Sequence, residues 1–374
     1  MDRSLQTRKL IMDHYNRYPE LQIRDILKFL HQSSFGCEHL LSDPSAAVDY
    51  IRREAESCCQ YKSAENRGCH QEDAQCHRCH QEAAVEMLDG EYCRVHLEYL
   101  KKGLSAETFG KLFFLSAQHQ EDGREMLEEK LAVLTELVQE KILPFETEDV
   151  ERAVEKWRSE DYAACHHSEE FRTAYHPAYR VIRKEYVPFL PLFAQIDKML
   201  EQGEVNLAVE GGSASGKSTL GDLLEKVYGC VVLHMDDFFL RPEQRTLERF
   251  AEPGGNVDRE RFLEEVLVPL GNREDISYRR FDCSTFTVQP PVMIKPSRLT
   301  VVEGAYSMHP ELAGYYNFSV FLDITPEFQK KRIMKRNSPQ FAERFFTEWI
   351  PMEHVYFDTM KVKERCDMVI EQRE

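Results

Sequence analysis

The stretch "NLAVEGGSASGKSTLGD", residues 206 to 222, constrains this chain more than any other. Gly211 to Ser218 fits the spacing G-x-x-x-x-G-K-[ST], with an apolar run before it and a helix-compatible run after it. The small residues Gly211, Gly212, Ser213, Ala214, Ser215 and Gly216 let backbone N–H groups turn inward around a phosphate, and a helix N-terminus adds partial positive charge. Lys217 is then placed for the β- and γ-phosphates of ATP, the Ser218 hydroxyl for Mg²⁺, and Thr219 for the end of the same cradle. An unliganded Gly/Ser turn between strand and helix is the alternative, and the flanking elements argue against it.

Around this loop the chain is long, 374 residues, enough for two domains that each bury a core. A hydrophobic content of 42% and a charged content of 30% describe an ordinary globular composition. The net charge of -17 opposes general nucleic-acid binding or docking on an anionic membrane, both of which need clustered positive charge. No run approaches membrane-spanning length, and the first residues lack the apolar core of a signal peptide, so a cytoplasmic location is expected. The 11 cysteines, an odd number, then read as reduced thiols rather than a disulfide framework.

Residues 1 to 195 read as a mainly helical domain. "DILKFLHQSSFGCEHLLS", "ETFGKLFFLSAQ" and "GREMLEEKLAVLTELVQEKI" space apolar residues at three and four. From residue 204 to 374 the pattern changes to short apolar runs, "VNLAVEG", "CVVLHMDD", "RLTVVEGAY" and "FSVFLDI", alternating with helical stretches. That alternation predicts an α/β domain, a phosphate-loop-type parallel sheet flanked by helices. Residues 58 to 82, "CCQYKSAENRGCHQEDAQCHRCHQE", form a polar Cys/His-rich insertion. Cys76 and Cys79 make a C-x-x-C, but the second ligand pair that zinc needs has no clean spacing.

The acids of the α/β half bear on the chemistry. "VVLHMDDFFL" places Asp236 and Asp237 just past a strand, where open α/β sheets bind ligands. One of them can accept a proton from an acceptor hydroxyl; an acidic pair capping the next turn is the alternative. "LTVVEG" ends in Glu303, suited to hold Mg²⁺ directly or through water. "FQKKRIMKRNSPQFAER" carries Arg332 and Arg336 on a helix and a following mobile segment that can close over phosphates, or simply a solvated helix face.

Together "GGSASGKST", "MDDFF", "NVDRERF", "VVEGAY" and "KKRIMKR" resemble, in order and spacing, the uridine kinase branch of P-loop kinases, near phosphoribulokinase and bacterial pantothenate kinase. The resemblance covers residues 204 to 374. It implies transfer of the ATP γ-phosphate, with Mg²⁺, to the 5′-hydroxyl of uridine or cytidine. Asp236 matches the catalytic aspartate, Glu303 the Mg²⁺-associated glutamate, and Asp258 the aspartate that engages sugar hydroxyls. Arg332 and Arg336 resemble lid arginines. "YRRFDCSTF", with Tyr278 and Arg280, resembles the hairpin that packs on the base. The His-containing segment after that hairpin is not evident, and pantothenate or a sugar phosphate stands beside the nucleoside as acceptor. The implied partner is thus a small-molecule hydroxyl acceptor; a homo-oligomer is left open.

The helical half matches no catalytic motif. Glu38, His39, Arg94, His166, His167, Tyr175, Tyr179 and Arg180 are nonetheless candidates for a site binding an anion or a metal. Two further functional classes stay open: a nucleotide-dependent switch with the helical half as output, and a bifunctional enzyme. A GTPase is disfavoured because no N-K-x-D motif is present.

Overall fold

The computed structural model describes residues 3–37, 45, 47–55, 84–88, 90–118 and 123–373. The Cys/His-rich insertion, with Glu38 and His39, lies outside the described residues. The chain divides into two compact units, Met1–Ala194 and Gln195–Glu374.

In the first unit, helices α1 (Arg3–Arg17) and α2 (Ile23–Phe35) precede strands β1 (Val85–Met87) and β2 (Tyr92–His96). Then come α3 (Ala106–Ala117), α4 (Arg124–Gln139), α5 (Thr147–Ser159), α6 (Glu169–Tyr175) and β3 (Tyr179–Arg183). In α4 the 3–4 spacing buries Leu127, Leu131, Leu134 and Leu137 on one face, against a core that includes Phe29, Leu30, Trp157 and Phe171. Ser105 and Ser168 start α3 and α6 by accepting the N–H of Thr108 and Phe171. The unit is mainly helical, but β1, β2 and β3 form an antiparallel sheet that helical periodicity does not announce. Its strands carry Glu86, Arg94 and Arg180 among apolar residues, which hides the short runs typical of a strand.

Helix α7 (Leu190–Gln202) leads into the second unit, where β4 (Val205–Gly211), α8 (Lys217–Tyr228) and β5 (Val231–His234) follow. Next are α9 (Leu247–Ala251), α10 (Arg259–Phe262) and α11 (Val268–Asn272), the last two joined by a π-turn. A hairpin, β6 (Ile276–Asp282) and β7 (Thr287–Ile294), precedes β8 (Leu299–Glu303) and β9 (Phe318–Ile324). Helices α12 (Pro326–Arg336), α13 (Pro339–Arg344), α14 (Ile350–Met360) and α15 (Val362–Arg365) lead to β10 (Met368–Gln372).

Five of these strands make one parallel sheet in the order β10-β9-β4-β8-β5. Every residue of β4 and of β8 is buried, as expected for central strands covered on both faces. The loop-bearing strand β4 is therefore the middle of the sheet. Within the segment that follows α12, Pro339–Arg344 form α13, capped by the Ser338 hydroxyl and started by Pro339.

Candidate phosphate-loop active site

The register decides what meets at the carboxyl edge of the sheet. Val209 of β4 pairs with Glu303 of β8, and Glu303 pairs with His234 of β5. Hence Glu303 and His234 end level with the start of the loop at Gly211, where open α/β sheets place their ligands.

The loop needs its glycines. Gly211 has φ 148°, and a Cβ there would lie 2.7 Å from the Leu322 carbonyl oxygen. Gly216 has φ 101° and turns the chain directly into α8 at Lys217. Ala214 is also left-handed, with φ 60°. Lys217 Nζ reaches across the loop to donate to the Gly212 carbonyl at 3.0 Å. Ser215 is buried within the turn, and Ser218 and Thr219 are exposed on the first turn of α8.

Ser218 Oγ donates to Glu303 Oε1 at 3.2 Å, and His234 Nδ1 shares the same oxygen at 2.6 Å. The Glu303 hydrogen bond raises the His234 pKa. Hard hydroxyl and carboxylate oxygens adjacent to a phosphate cradle fit Mg²⁺, which takes one or two protein oxygens and completes its shell with phosphate and water. Among the described residues no cluster of three or more His, Cys, Asp or Glu forms a self-contained metal cage.

Asp236 follows β5 on a short 3₁₀ turn, Met235–Phe238. The residue is exposed at the surface, and desolvation by the neighbouring protein raises its pKa. Lys217 opposes that rise, while Glu303 and Asp237 add to it. These couplings bring Asp236 into the same field as the loop lysine.

The remaining acids and arginines are more occupied. Asp237 accepts from Tyr278 OH at 3.0 Å and pairs with Arg280 Nε at 3.3 Å. The Tyr278 ring is buried and stacks on Phe238, so the β6–β7 hairpin holds the acidic turn in place. Asp258 is 1% exposed; it caps α10 and pairs with Arg261 at 3.3 Å and Arg241 at 3.5 Å. Its N–H donates to the Phe238 carbonyl at 2.7 Å, which ties it to the same turn. A cavity of about 550 Å³ opens on the Asp258 side, where Arg241, Arg249, Arg261 and Arg279 face Asp258, Glu260, Glu264 and Glu265. Arg332 Nη1 donates to the Ala214 carbonyl at 3.1 Å and lies over Phe328, whereas Arg336 is exposed at the end of α12.

Three buried groups under the loop were not singled out from sequence. Glu353 of α14, 5% exposed, accepts the Ser213 N–H at 2.9 Å and the Ser213 hydroxyl at 2.7 Å. Gln329 of α12 donates to the Ser213 carbonyl at 2.8 Å. Glu210, fully buried before the loop, accepts the N–H groups of Gly211 and Met308 and the hydroxyl of Tyr356. Burial outweighs those donors and raises the Glu210 pKa to about 7. Only Glu210 left a signal in the sequence, as the one charge near the end of a largely apolar strand.

In the first unit the structure gathers Arg94, His167, Tyr175 and Tyr179 around one small cavity or its wall. His166 is exposed instead, and Arg180 pairs with Glu54 at 2.7 Å.

No family model and no curated protein matches the chain. Among solved structures it is similar to a possible uridine kinase from Bacillus stearothermophilus, with 21% identity over 48% of this chain and 98% of that one, at a TM-score of 0.36. It is also similar to a putative fructose transport system kinase from Silicibacter sp., with 20% identity over 47% and 97% and a TM-score of 0.39. A shikimate kinase from Acinetobacter baumannii, solved with shikimate, gives 17% identity over 47% and 88% and a TM-score of 0.27. Strand order, register and loop geometry carry the fold assignment by themselves: Gln195–Glu374 is a P-loop-type parallel α/β unit.

Proposed function

We propose that the second unit is an ATP- and Mg²⁺-dependent phosphotransferase acting on the hydroxyl of a small molecule. The observation that carries this is the convergence of the loop, Lys217, Asp236 and the Ser218–Glu303–His234 cluster at one edge of one sheet. Mg²⁺, when bound, neutralises charge on the phosphates. Loop N–H groups and Lys217 would hold the β/γ end of ATP, and Ser218 and Glu303 would hold the metal. Asp236 accepts the proton of the acceptor hydroxyl, and its raised pKa makes it the stronger base. Arg332, already against the loop, adds positive charge beside the moving phosphoryl group.

For the acceptor we favour the 5′-hydroxyl of uridine or cytidine, with pantothenate and a sugar phosphate as the competing readings. Asp258 in its present pairing is a brace for the Asp236 turn; engaging sugar hydroxyls requires it to release Arg241 or Arg261. The test is ADP release from purified protein with ATP and Mg²⁺ against uridine, cytidine, pantothenate and ribulose 5-phosphate. A kinase releases ADP only with its acceptor, in proportion to phosphorylated product. ADP release that ignores every acceptor supports a nucleotide-dependent switch and sinks this reading.

A further inference from the structure

We propose that occupancy of the phosphate loop is linked to a proton: nucleotide phosphates entering the loop draw a proton onto the buried carboxyl of Glu210 beneath it. The inference rests on the loop holding a nucleotide as proposed above, and it gives Glu210 a part that the transfer reaction itself does not use.

The geometry seats both forms of this acid. Glu210 is the last residue but one of β4, and it is fully buried. Its hydrogen-bond partners are all neutral. Oε1 accepts the Gly211 N–H at 2.8 Å, while Oε2 accepts the Met308 N–H at 3.0 Å and the hydroxyls of Tyr356 at 3.1 Å and Ser307 at 3.4 Å. Neutral donors alone leave an anion in a dry site poorly compensated. The two N–H groups can only donate, whereas a hydroxyl can turn round and accept. A proton on Oε2 therefore finds an acceptor in Tyr356 or Ser307, and the Gly211 N–H keeps Oε1. The Tyr316 hydroxyl, whose oxygen is buried without a hydrogen-bond partner, lies within electrostatic reach of both Glu210 and Tyr356.

The surrounding charges set the direction. Lys217, on α8, is the cation that favours the carboxylate. Burial pushes Tyr306, Tyr316 and Tyr356 up, and Cys366 up to about 12, so these groups stay neutral. Asp367 is engaged by Ser319, and Asp323 pairs with Lys363. Glu303 and His234 are in register with Val209, the neighbour of Glu210, and so belong to the other face of the sheet. Glu353 and Asp236, both raised by burial, feel Lys217 as well. With the folded pKa of Glu210 at about 7, about half of the molecules carry the proton at neutral pH before nucleotide arrives. Phosphates draw the Lys217 charge toward themselves and add negative charge of their own, and both effects raise that pKa further. Affinity is then highest where Glu210 is protonated and falls as pH rises through 7.

The experiment titrates the full chain with ADP and Mg²⁺ at pH 7 in PIPES and in imidazole, whose different heats of ionisation let calorimetry count protons. Native protein is expected to take up about half a proton more per ADP than Glu210→Gln. Its affinity should fall about tenfold from pH 6 to pH 9 relative to that variant, the equivalent of one unit of carboxyl shift. Because Glu353, Asp236 and the nucleotide titrate alike in both proteins, the difference belongs to Glu210. Infrared difference spectra should show the C=O stretch of a neutral carboxylic acid gained with ADP in native protein only. Circular dichroism melts establish folding, and Tyr356→Phe decides if Glu210→Gln does not fold. It removes a donor that favours the carboxylate, so the proton is already bound and uptake falls. Saturable ADP binding with equal proton counts and superimposed pH profiles in native and folded variant overturns the inference and leaves the phosphotransferase reading in place. Absence of ADP binding overturns both.

Discussion

The two units handle ionic groups in opposite ways. In the first, Asp25, Glu86, Arg94 and His167 are withdrawn from water and satisfied largely by one another. In the second, the groups suited to chemistry, Asp236 and Ser218, stand at an open sheet edge, and the buried carboxylates Glu210 and Glu353 lie beneath them holding backbone. Charges that only meet each other define a shape; charges left facing solvent above a rigid floor can meet a substrate. Substitutions in the two units should therefore separate into losses of stability and losses of turnover.

The largest separation is expected at the sheet edge. Asp236→Asn should lower acceptor-dependent ADP release by about 10²–10⁴-fold, and Lys217→Ala by about 10²–10³-fold, with melting temperatures little changed. Unimpaired release in both would erase the contrast. Asp25→Ala should do the reverse. It strips acceptors from the Gln22 and Ser168 N–H groups and from His167, costing about 3 kcal/mol in chemical denaturation while ADP release per folded molecule stays constant.

Glu210 sharpens the comparison through pH. Its folded pKa, about 7, lies above the ordinary 4.5, so its contribution to stability is complete below 4.5 and disappears as pH rises through 7. The second unit should lose about 3 kcal/mol over that window, and Glu210→Gln should flatten the slope. Smaller again, Glu353→Ala should destabilise the second unit by about 2 kcal/mol, because the Ser213 N–H is left without its acceptor, and should weaken ATP binding measured by calorimetry. Smallest of all, Arg336→Ala should change kcat/KM less than about twofold, since solvent screens an exposed charge. A tenfold fall there would mean that α12 closes further over the nucleotide than its present position.

How much was readable in advance follows the span of each contact along the chain. The loop is eight adjacent residues with fixed spacing, and the strand-end acids Asp236 and Glu303 sit on apolar runs, so local pattern reveals them. Glu353 reaches Ser213 across 140 residues and Gln329 across 116, so no window of sequence holds both partners. The pairing of Asp258 with Arg241 and Arg261 is not visible in sequence; only folding shows that they share its carboxylate. The β1–β3 sheet escaped for a related reason: a buried ion pair, Glu86 with Arg94, occupies positions where strand patterns expect apolar side chains.

The hold on Ser213 has a consequence for timing. Its amide, hydroxyl and carbonyl are all engaged by α12 and α14, so this peptide of the cradle has little freedom to lose when a nucleotide arrives. Capture then resembles a key entering a cut lock, with little entropy surrendered by the protein. The Ser213 amide should exchange with deuterium at nearly the same slow rate with and without ATP added to the protein, while the exposed first turn of α8 changes.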